Sequence, residues 1–499
     1  MINFAVTSKL EHMNSSIIIG RQKEREELWR CYNSDRSEFA IVYGRRRIGK
    51  TFLVYETFKN RLSFYFTGSH KSSEDRQLKV FASQLRKFGN TKFEPVLHSW
   101  YDAFDALQEM LEKMPTKKRK VIFFDEMPWI DTYKSDFMAA FEDFWNIWAN
   151  QRHDICLFAC GSSTSWMVNR LVKNQGGLHN RITSTIYLRP FNLRETEEYL
   201  LARKFTWDRY SILQCYMYLG GVPFYLSLLQ ASLSLAQNID RLIFQKGAQL
   251  HNEFDELYDV LFNKSENYKS IVRALASRRD GMTRKELEEK TGISGGTLST
   301  ILCNLEDSDF IISYKQFGNK KKGSIFRITD FFTLFHFKFI ENYNNKDSHY
   351  WEKHQTSQSV ISWQGVSYEL VCLTHLDQIK KAIGISVIEC EASAWRSNDK
   401  NIYLNGTDKP KANAQIDLLI SRADRIINIC EIKFSTDEYL VSNDYEEKLR
   451  RKMSVFKAET NTKKTLILTF ITTYGVIPNL HSGIIQKQIV MNDLFTDNS

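Results

Sequence analysis

Along the first 190 residues, short apolar runs alternate with longer segments whose apolar residues recur at helical spacing. Phe39 to Tyr43 is apolar throughout, and after a glycine- and arginine-rich turn Phe52, Leu53, Tyr55 and Phe58 follow at helical intervals. That order predicts strand, loop, helix. Leu62 to Phe66 reads as the next strand, with a polar helical segment running on to Lys92. Trp100 to Met114 reads as a helix, with Phe104, Leu107 and Leu111 on one face. Val121 to Phe124, Ile155 to Ala159 and Thr185 to Leu188 are further short apolar runs. Strands apolar on both faces and separated by helices predict a parallel sheet covered on both sides.

Beyond Leu188 the pattern turns all-helical, with a helix over Thr196 to Leu201 and a turn at Gly220-Gly221-Val222-Pro223, and a helical lid is predicted. A third pattern occupies Lys269 to Asp330. Ile271, Val272 and Leu275 mark one helix. Thr283, with Glu286 in capping-box position, starts a second, and Gly292 turns the chain into a third helix carrying Leu298, Ile301, Leu302 and Leu305. The β-type runs Phe310 to Tyr314 and Ser324 to Ile328 complete a winged helix-turn-helix pattern. Phe331 to Tyr343 is dense in phenylalanine and reads as a buried connecting helix. A helix over Trp363 to Thr374 and strands over Ala414 to Ile420 and Arg425 to Phe434 follow.

Chemistry enters at the first loop. Gly44-Arg45-Arg46-Arg47-Ile48-Gly49-Lys50-Thr51 fits Gly-x4-Gly-Lys-Thr between a strand and a helix, the setting in which that spacing has meaning. Glycines let backbone N–H groups turn toward a phosphate chain at a helix N-terminus. Lys50 is expected to reach the β- and γ-phosphates, and the Thr51 hydroxyl to ligate Mg²⁺. Asp125 and Glu126 end an apolar strand, where functional acids of a parallel sheet are found. They look like a Walker B pair, in which Asp125 holds Mg²⁺ through water and Glu126 polarises the attacking water. Arg181, before the Thr185 strand, reads either as a surface ion-pair partner or as an arginine finger, in cis or from a neighbouring chain.

With 499 residues, the chain predicts about three domains. A composition of 42% hydrophobic and 25% charged residues is that of a globular protein, and a net charge of +9 permits nucleic-acid binding without requiring it. Eight cysteines form no Cys-x2-Cys pair and no zinc spacing. No apolar run approaches membrane-spanning length and Met1 to Ser16 is polar, so a reduced, cytoplasmic protein without a membrane partner is expected.

Gly20-Arg21-Gln22-Lys23-Glu24, Gly-Arg-Arg-Arg-Ile-Gly-Lys-Thr, the Asp-Glu strand, Gly161-Ser162-Ser163 and Gly-Gly-x-Pro, in this order, resemble the archaeal-type ATPases of the AAA+/STAND division of P-loop NTPases, over about residues 15 to 260. The resemblance implies ATP rather than GTP as substrate. It also implies that Ser162, at the end of the strand between the two Walker motifs, is a sensor; serine there equally suits a helix cap.

In the C-terminal part, Asp417 and then Glu431-Ile432-Lys433 across a hairpin, with Glu369 on the preceding helix, resemble the PD-(D/E)xK nuclease superfamily. That likeness implies Mg²⁺ or Mn²⁺ on Asp417 and Glu431, with Lys433 orienting the attacking water. Ile416 stands where the family has proline, and a salt bridge among Asp417, Glu431 and Lys433 is the plain structural alternative. Residues 355 to 499 also look like the domain that commonly follows this ATPase. The expected layout is therefore an α/β ATPase core at 1–190, a helical lid at 191–264, a winged helix and connecting helix at 265–345, and a restriction-endonuclease-like α/β domain at 346–499. Lys320, Lys321 and Lys322 in the wing suit either sequence-independent contact with DNA phosphates or a solvated loop. Two functions fit this layout: a DNA-acting ATPase coupled to a nuclease-like domain, or a STAND-type signalling or defence switch that cuts nothing. A homo-oligomer or a protein partner fits both.

Overall fold

The computed structural model describes residues 18–115, 119–173, 176–178, 180–262, 264–314, 317, 324–344, 347–397 and 414–497. Lys320, Lys321 and Lys322 lie outside them. The chain divides into two compact units, Met1–Pro190 with Val222–Tyr225, and Phe191–Gly221 with Leu226–Ser499. Val222–Tyr225, expected inside the helical lid, thus groups with the α/β part.

The first unit is built on a five-stranded sheet of β1 (Glu38–Tyr43), β2 (Leu62–Thr67), β3 (Lys120–Asp125), β4 (Ile155–Gly161) and β5 (Ser184–Tyr187), in the order β2-β3-β4-β1-β5. Every neighbouring pair is parallel. Strand alternation divides the core in two. Phe39, Ile41, Ile122, Phe124, Leu157 and Ala159 face one buried cluster with Phe81, Trp100 and Phe104. Ala40, Val42, Val121, Phe123, Cys156 and Phe158 face the other, with Leu53, Val54 and Phe58 of the helix Lys50–Phe58. Burial on both faces accounts for strands that read as continuous apolar runs. The helix Trp100–Glu112 starts at a capping box formed by Ser99 and Asp102.

In the second unit, the helices Ser265–Ala276, Arg284–Thr291 and Gly295–Asp307 accompany an antiparallel sheet ordered β6-β8-β7, made of β6 (Met282–Thr283), β7 (Ile311–Tyr314) and β8 (Ile325–Ile328). The Thr283–Glu286 capping box is present, and Gly292 ends its helix at φ 71°. Phe331–Phe335 continues into a π-helical turn, His336–Ile340, and Phe335 and Phe339 are buried against Trp351 and Trp363.

Farther on, a mixed five-stranded sheet runs β13-β12-β11-β10-β9. Its strands are β9 (Cys390–Arg396), β10 (Gln415–Arg422), β11 (Ile426–Lys433), β12 (Thr465–Thr472) and β13 (Lys487–Val490). The hairpin β10–β11 is antiparallel, whereas β11–β12 and β12–β13 are parallel. Ile427, Ile429, Leu468 and Phe470 pack with Leu449, Val455 and Phe456 of the helix Asn443–Thr460. None of the helices among the described residues is long and apolar enough to cross a membrane.

Candidate functional site

β1 delivers the chain to Gly44 at φ 142°, where a Cβ would stand 2.1 Å from the Leu188 carbonyl oxygen. Only glycine admits that approach. Gly44→Ala is therefore expected to lower stability by about 2 kcal/mol or more, as a buried steric and backbone clash, and to abolish nucleotide retention. Thermal unfolding and equilibrium binding of a fluorescent ATP analogue check both effects. Arg47 (φ 72°) and Gly49 (φ 86°) complete the left-handed turns that close the loop. The helix beginning at Lys50 then aims its first N–H groups at the loop's centre.

Lys50 is 5% exposed, and its ammonium donates to the carbonyls of Gly44 at 2.9 Å and Arg45 at 2.7 Å. The Thr51 hydroxyl lies 3.0 Å from both carboxylate oxygens of Asp125. Tyr65 and the buried thiol of Cys160 also hydrogen-bond Asp125. Burial pushes the Asp125 carboxyl up and the Lys50 ammonium down, so the site favours arrival of compensating charge. Hydroxyl and carboxylate oxygens side by side are the hard donors that Mg²⁺ takes. Glu126 sits at φ 48°, ψ 48°, uncommon for a residue with a side chain. Its Oε2 accepts from the Ser162 N–H at 3.1 Å and the Ser162 hydroxyl at 2.9 Å. Ser162 thus fixes the direction of the Glu126 carboxylate.

Arg181 lies elsewhere. The N–H of Thr183 donates to the Phe39 carbonyl, and Ala40 pairs with Ser184, so Arg181 is at the opposite end of β1 from Gly44. Four strand residues at about 3.3 Å each already separate the two ends. As folded, the arginine does not reach its own chain's phosphate loop, which removes the cis form of the finger reading. Two neighbours of the loop had no local sequence signal: Phe224, whose ring lies 4.5 Å from the Arg47 guanidinium carbon, and Trp129, 5.7 Å from that of Arg46. Phe224 belongs to the segment after Gly-Gly-x-Pro, which returns to the loop with its N–H on the Arg47 carbonyl.

In the second unit the four expected residues form two groups. Lys433 is 2.9 Å from Glu431, and Lys452, on the helix Asn443–Thr460, is 2.6 Å from the other Glu431 oxygen. The Tyr445 hydroxyl also donates to Glu431. Glu369 is buried and held by Arg279, with Arg327 at 3.7 Å; Arg279 also stands 4.0 Å from Asp417. Asp417 additionally accepts from the Gln415 amide at 2.7 Å. No direct salt bridge joins Asp417 to Lys433 among the described residues, so the three-residue bridge expected as the alternative is replaced by these two groups. Glu369, Asp417 and Glu431 do not converge as one ligand set; among the described residues the sole three-membered cluster of that kind is Asp240, His349 and Glu352. Tyr445 and Lys452 are seven residues apart, two helical turns, so helix periodicity aligns them on one face. Nothing in the local sequence marks Arg279 or Arg327.

Burial opposes ionisation of Glu431, but Lys452 and Lys433 outweigh it and hold the carboxyl at about 2, below its usual 4.5. A depressed carboxyl stabilises the fold above its unfolded pKa and loses that contribution as pH falls through the folded one. Wild-type stability is therefore expected to fall between about pH 5 and pH 2, by on the order of 3 kcal/mol at most from this group. Lys452→Met should be less stable near neutrality and approach wild type at the acid end. Urea unfolding midpoints across that range measure both.

A parallel sheet whose strand–loop–helix turn buries a lysine and sets a threonine against a strand-end aspartate defines a P-loop nucleoside triphosphatase. Residues 18–229 match the model of an ATPase domain predominantly from Archaea, and over that span the chain is an archaeal-type, nucleotide-binding ATPase domain. An uncharacterized protein of Methanocaldococcus jannaschii is 24% identical over 402 residues, 79% of this chain and 85% of that protein. An uncharacterized ATP-binding protein of the same organism is 38% identical over 45 residues, 9% of this chain and 76% of that protein. Among solved structures, the Walker-type ATPase of Pyrococcus abyssi has a TM-score of 0.46 at 17% identity, covering 64% of this chain and 96% of its own. The Aeropyrum pernix ORC2 protein, in ADPNP and ADP complexes, has a TM-score of 0.41 at 13% identity, covering 66% and 94%. The assignment rests on the domain match and the loop geometry.

Proposed function

We propose that this ATPase acts on DNA, and that nucleotide state governs access to a nuclease-like site in its C-terminal part. The ATPase half assigns roles to residues already in position. Lys50 leaves the Gly44 and Arg45 carbonyls for the β- and γ-phosphates. Thr51 and Asp125 would hold Mg²⁺, which when bound would supply positive charge beside the phosphate oxygens. Glu126, aimed by Ser162, orients and polarises the attacking water. Arg181 serves a neighbouring chain, which makes the active form an oligomer.

The observation that carries the second half is Arg279. It rises from the turn after Ser265–Ala276, in the part read as a winged helix, and occupies the two carboxylates Glu369 and Asp417 of the part read as nuclease-like. A cation lodged beside Asp417, one of the two carboxylates expected to hold a divalent ion, supports a site closed at rest and opened by movement of the helix-and-wing part. The same pairing supports a second reading: with Glu431 also held by two lysines, the acids are structural and the protein is a STAND-type switch.

Cleavage of plasmid and single-stranded DNA with Mg²⁺ or Mn²⁺, with and without ATP, decides between them. The first reading expects cleavage that is lost in Asp417→Ala and Lys433→Ala while ATP hydrolysis survives. Absence of cleavage under every condition, with ATP turnover indifferent to DNA, leaves the switch.

A further inference from the structure

A cavity of about 360 Å³ lies within the second unit, walled by the end of the helix Ser265–Ala276, by β8, by the aromatic segment from Leu334 to Lys338 and by the helix Gln358–Thr374. Ligand sites of small molecules are typically about 300–1,000 Å³. Four cations line it, Arg278, Arg279, Arg327 and Lys338, together with four serines and, among the described residues, no carboxylate. Arg327 is 7% exposed, and its nearest acid, Glu369, stands at 3.7 Å, beyond hydrogen-bond length. Burial also disfavours its charge. Ser367 is 1% exposed, lines the same cavity, and its hydroxyl has no hydrogen-bond partner among the described residues. A buried guanidinium without a close acceptor and a buried hydroxyl without a partner are each costly unless a polar ligand meets them. Trp363 adds a largely buried flat ring to the wall.

We propose that this cavity binds a small phosphate monoester of mononucleotide size or less, with the phosphate between Arg327 and Ser367, and Arg279 and Lys338 at the rim. A tetrahedral anion with several acceptor oxygens satisfies a guanidinium fork and a hydroxyl at once, as a carboxylate of the chain here does not. The ring of Trp363 suits a base or sugar carried on that phosphate. The site goes beyond the nucleotide loop of the first unit, and it shares Arg279 and Arg327 with the contacts to Glu369 and Asp417.

Isothermal titration of the full-length Lys50→Ala protein, whose phosphate loop is weakened, with inorganic phosphate and with AMP tests it. Binding of both is expected, AMP the tighter. Arg327→Gln and Ser367→Ala, each added to Lys50→Ala, should each weaken it by about tenfold, the loss of one charge-assisted or buried hydrogen bond. The exposed Lys338→Gln, on the same background, should weaken it as well, and this variant carries the test if the buried substitutions fail to fold. No binding at millimolar probe, or affinities that ignore both the buried and the rim substitutions, overturns the proposal. So does binding of a single-stranded oligodeoxynucleotide with no response to phosphate or AMP.

Discussion

Lys50→Ala is expected to reduce ATP turnover by about 100-fold or more, the scale on which removal of one preorganised charge-stabilising group acts. The ammonium is buried at the turn of the loop and already donates to two backbone carbonyls, so its position is set before nucleotide arrives. Loss of the side chain removes the cation and leaves those carbonyls to water, without touching the Thr51–Asp125 pair or the Glu126–Ser162 hydrogen bonds. Steady-state phosphate release checks the rate. The fold should survive, because the core clusters on both faces of the sheet do not depend on the lysine. Unchanged turnover with an intact fold would remove the phosphate role from this loop.

The second large effect is expected at Arg279. Its guanidinium is half-exposed, but Glu369 beneath it is 3% exposed, and removing one partner of such a pair strands a buried charge. Breaking a buried ion pair costs roughly 3–5 kcal/mol, and the solvent at Arg279 reduces that here to about 2 kcal/mol. Arg279→Ala should therefore lower the unfolding temperature of the protein. If Glu369 and Asp417 are cation ligands, millimolar Mn²⁺ should restore that temperature in the variant and leave wild type unmoved, because the arginine no longer competes for the carboxylates. Differential scanning calorimetry with and without Mn²⁺, and with Asp417→Asn added as the control that abolishes rescue, measures this. A variant destabilised but indifferent to Mn²⁺ makes the pair purely structural.

What the chain disclosed before folding follows the range of each interaction. The phosphate loop was legible because strand, glycines, lysine and helix are contiguous, and the Asp125–Glu126 pair because it ends an apolar run. The Thr283–Glu286 cap was legible for the same reason. The cations that meet the C-terminal acids were not, since Arg279 and Glu369 are 90 residues apart in sequence and nothing local marks either for the other. Arg181 shows the opposite failing: its position before a strand was read correctly, but which end of the sheet that strand starts from is fixed only by register. Hence a residue 132 positions after Gly49 is near β1 and yet remote from the loop at its far end.

Phe224 and its neighbours carry a consequence for how the protein is made. The α/β unit is not contiguous: Val222–Tyr225 belongs to it, and the Phe224 N–H and ring meet Arg47. On a ribosome the sheet is fully synthesised once Tyr187 has emerged, but the phosphate loop waits for a further stretch of helical chain before its last neighbour arrives. Vectorial folding therefore gives a sheet first and a finished nucleotide site later, and a fragment ending at Pro190 lacks the segment that meets Arg47.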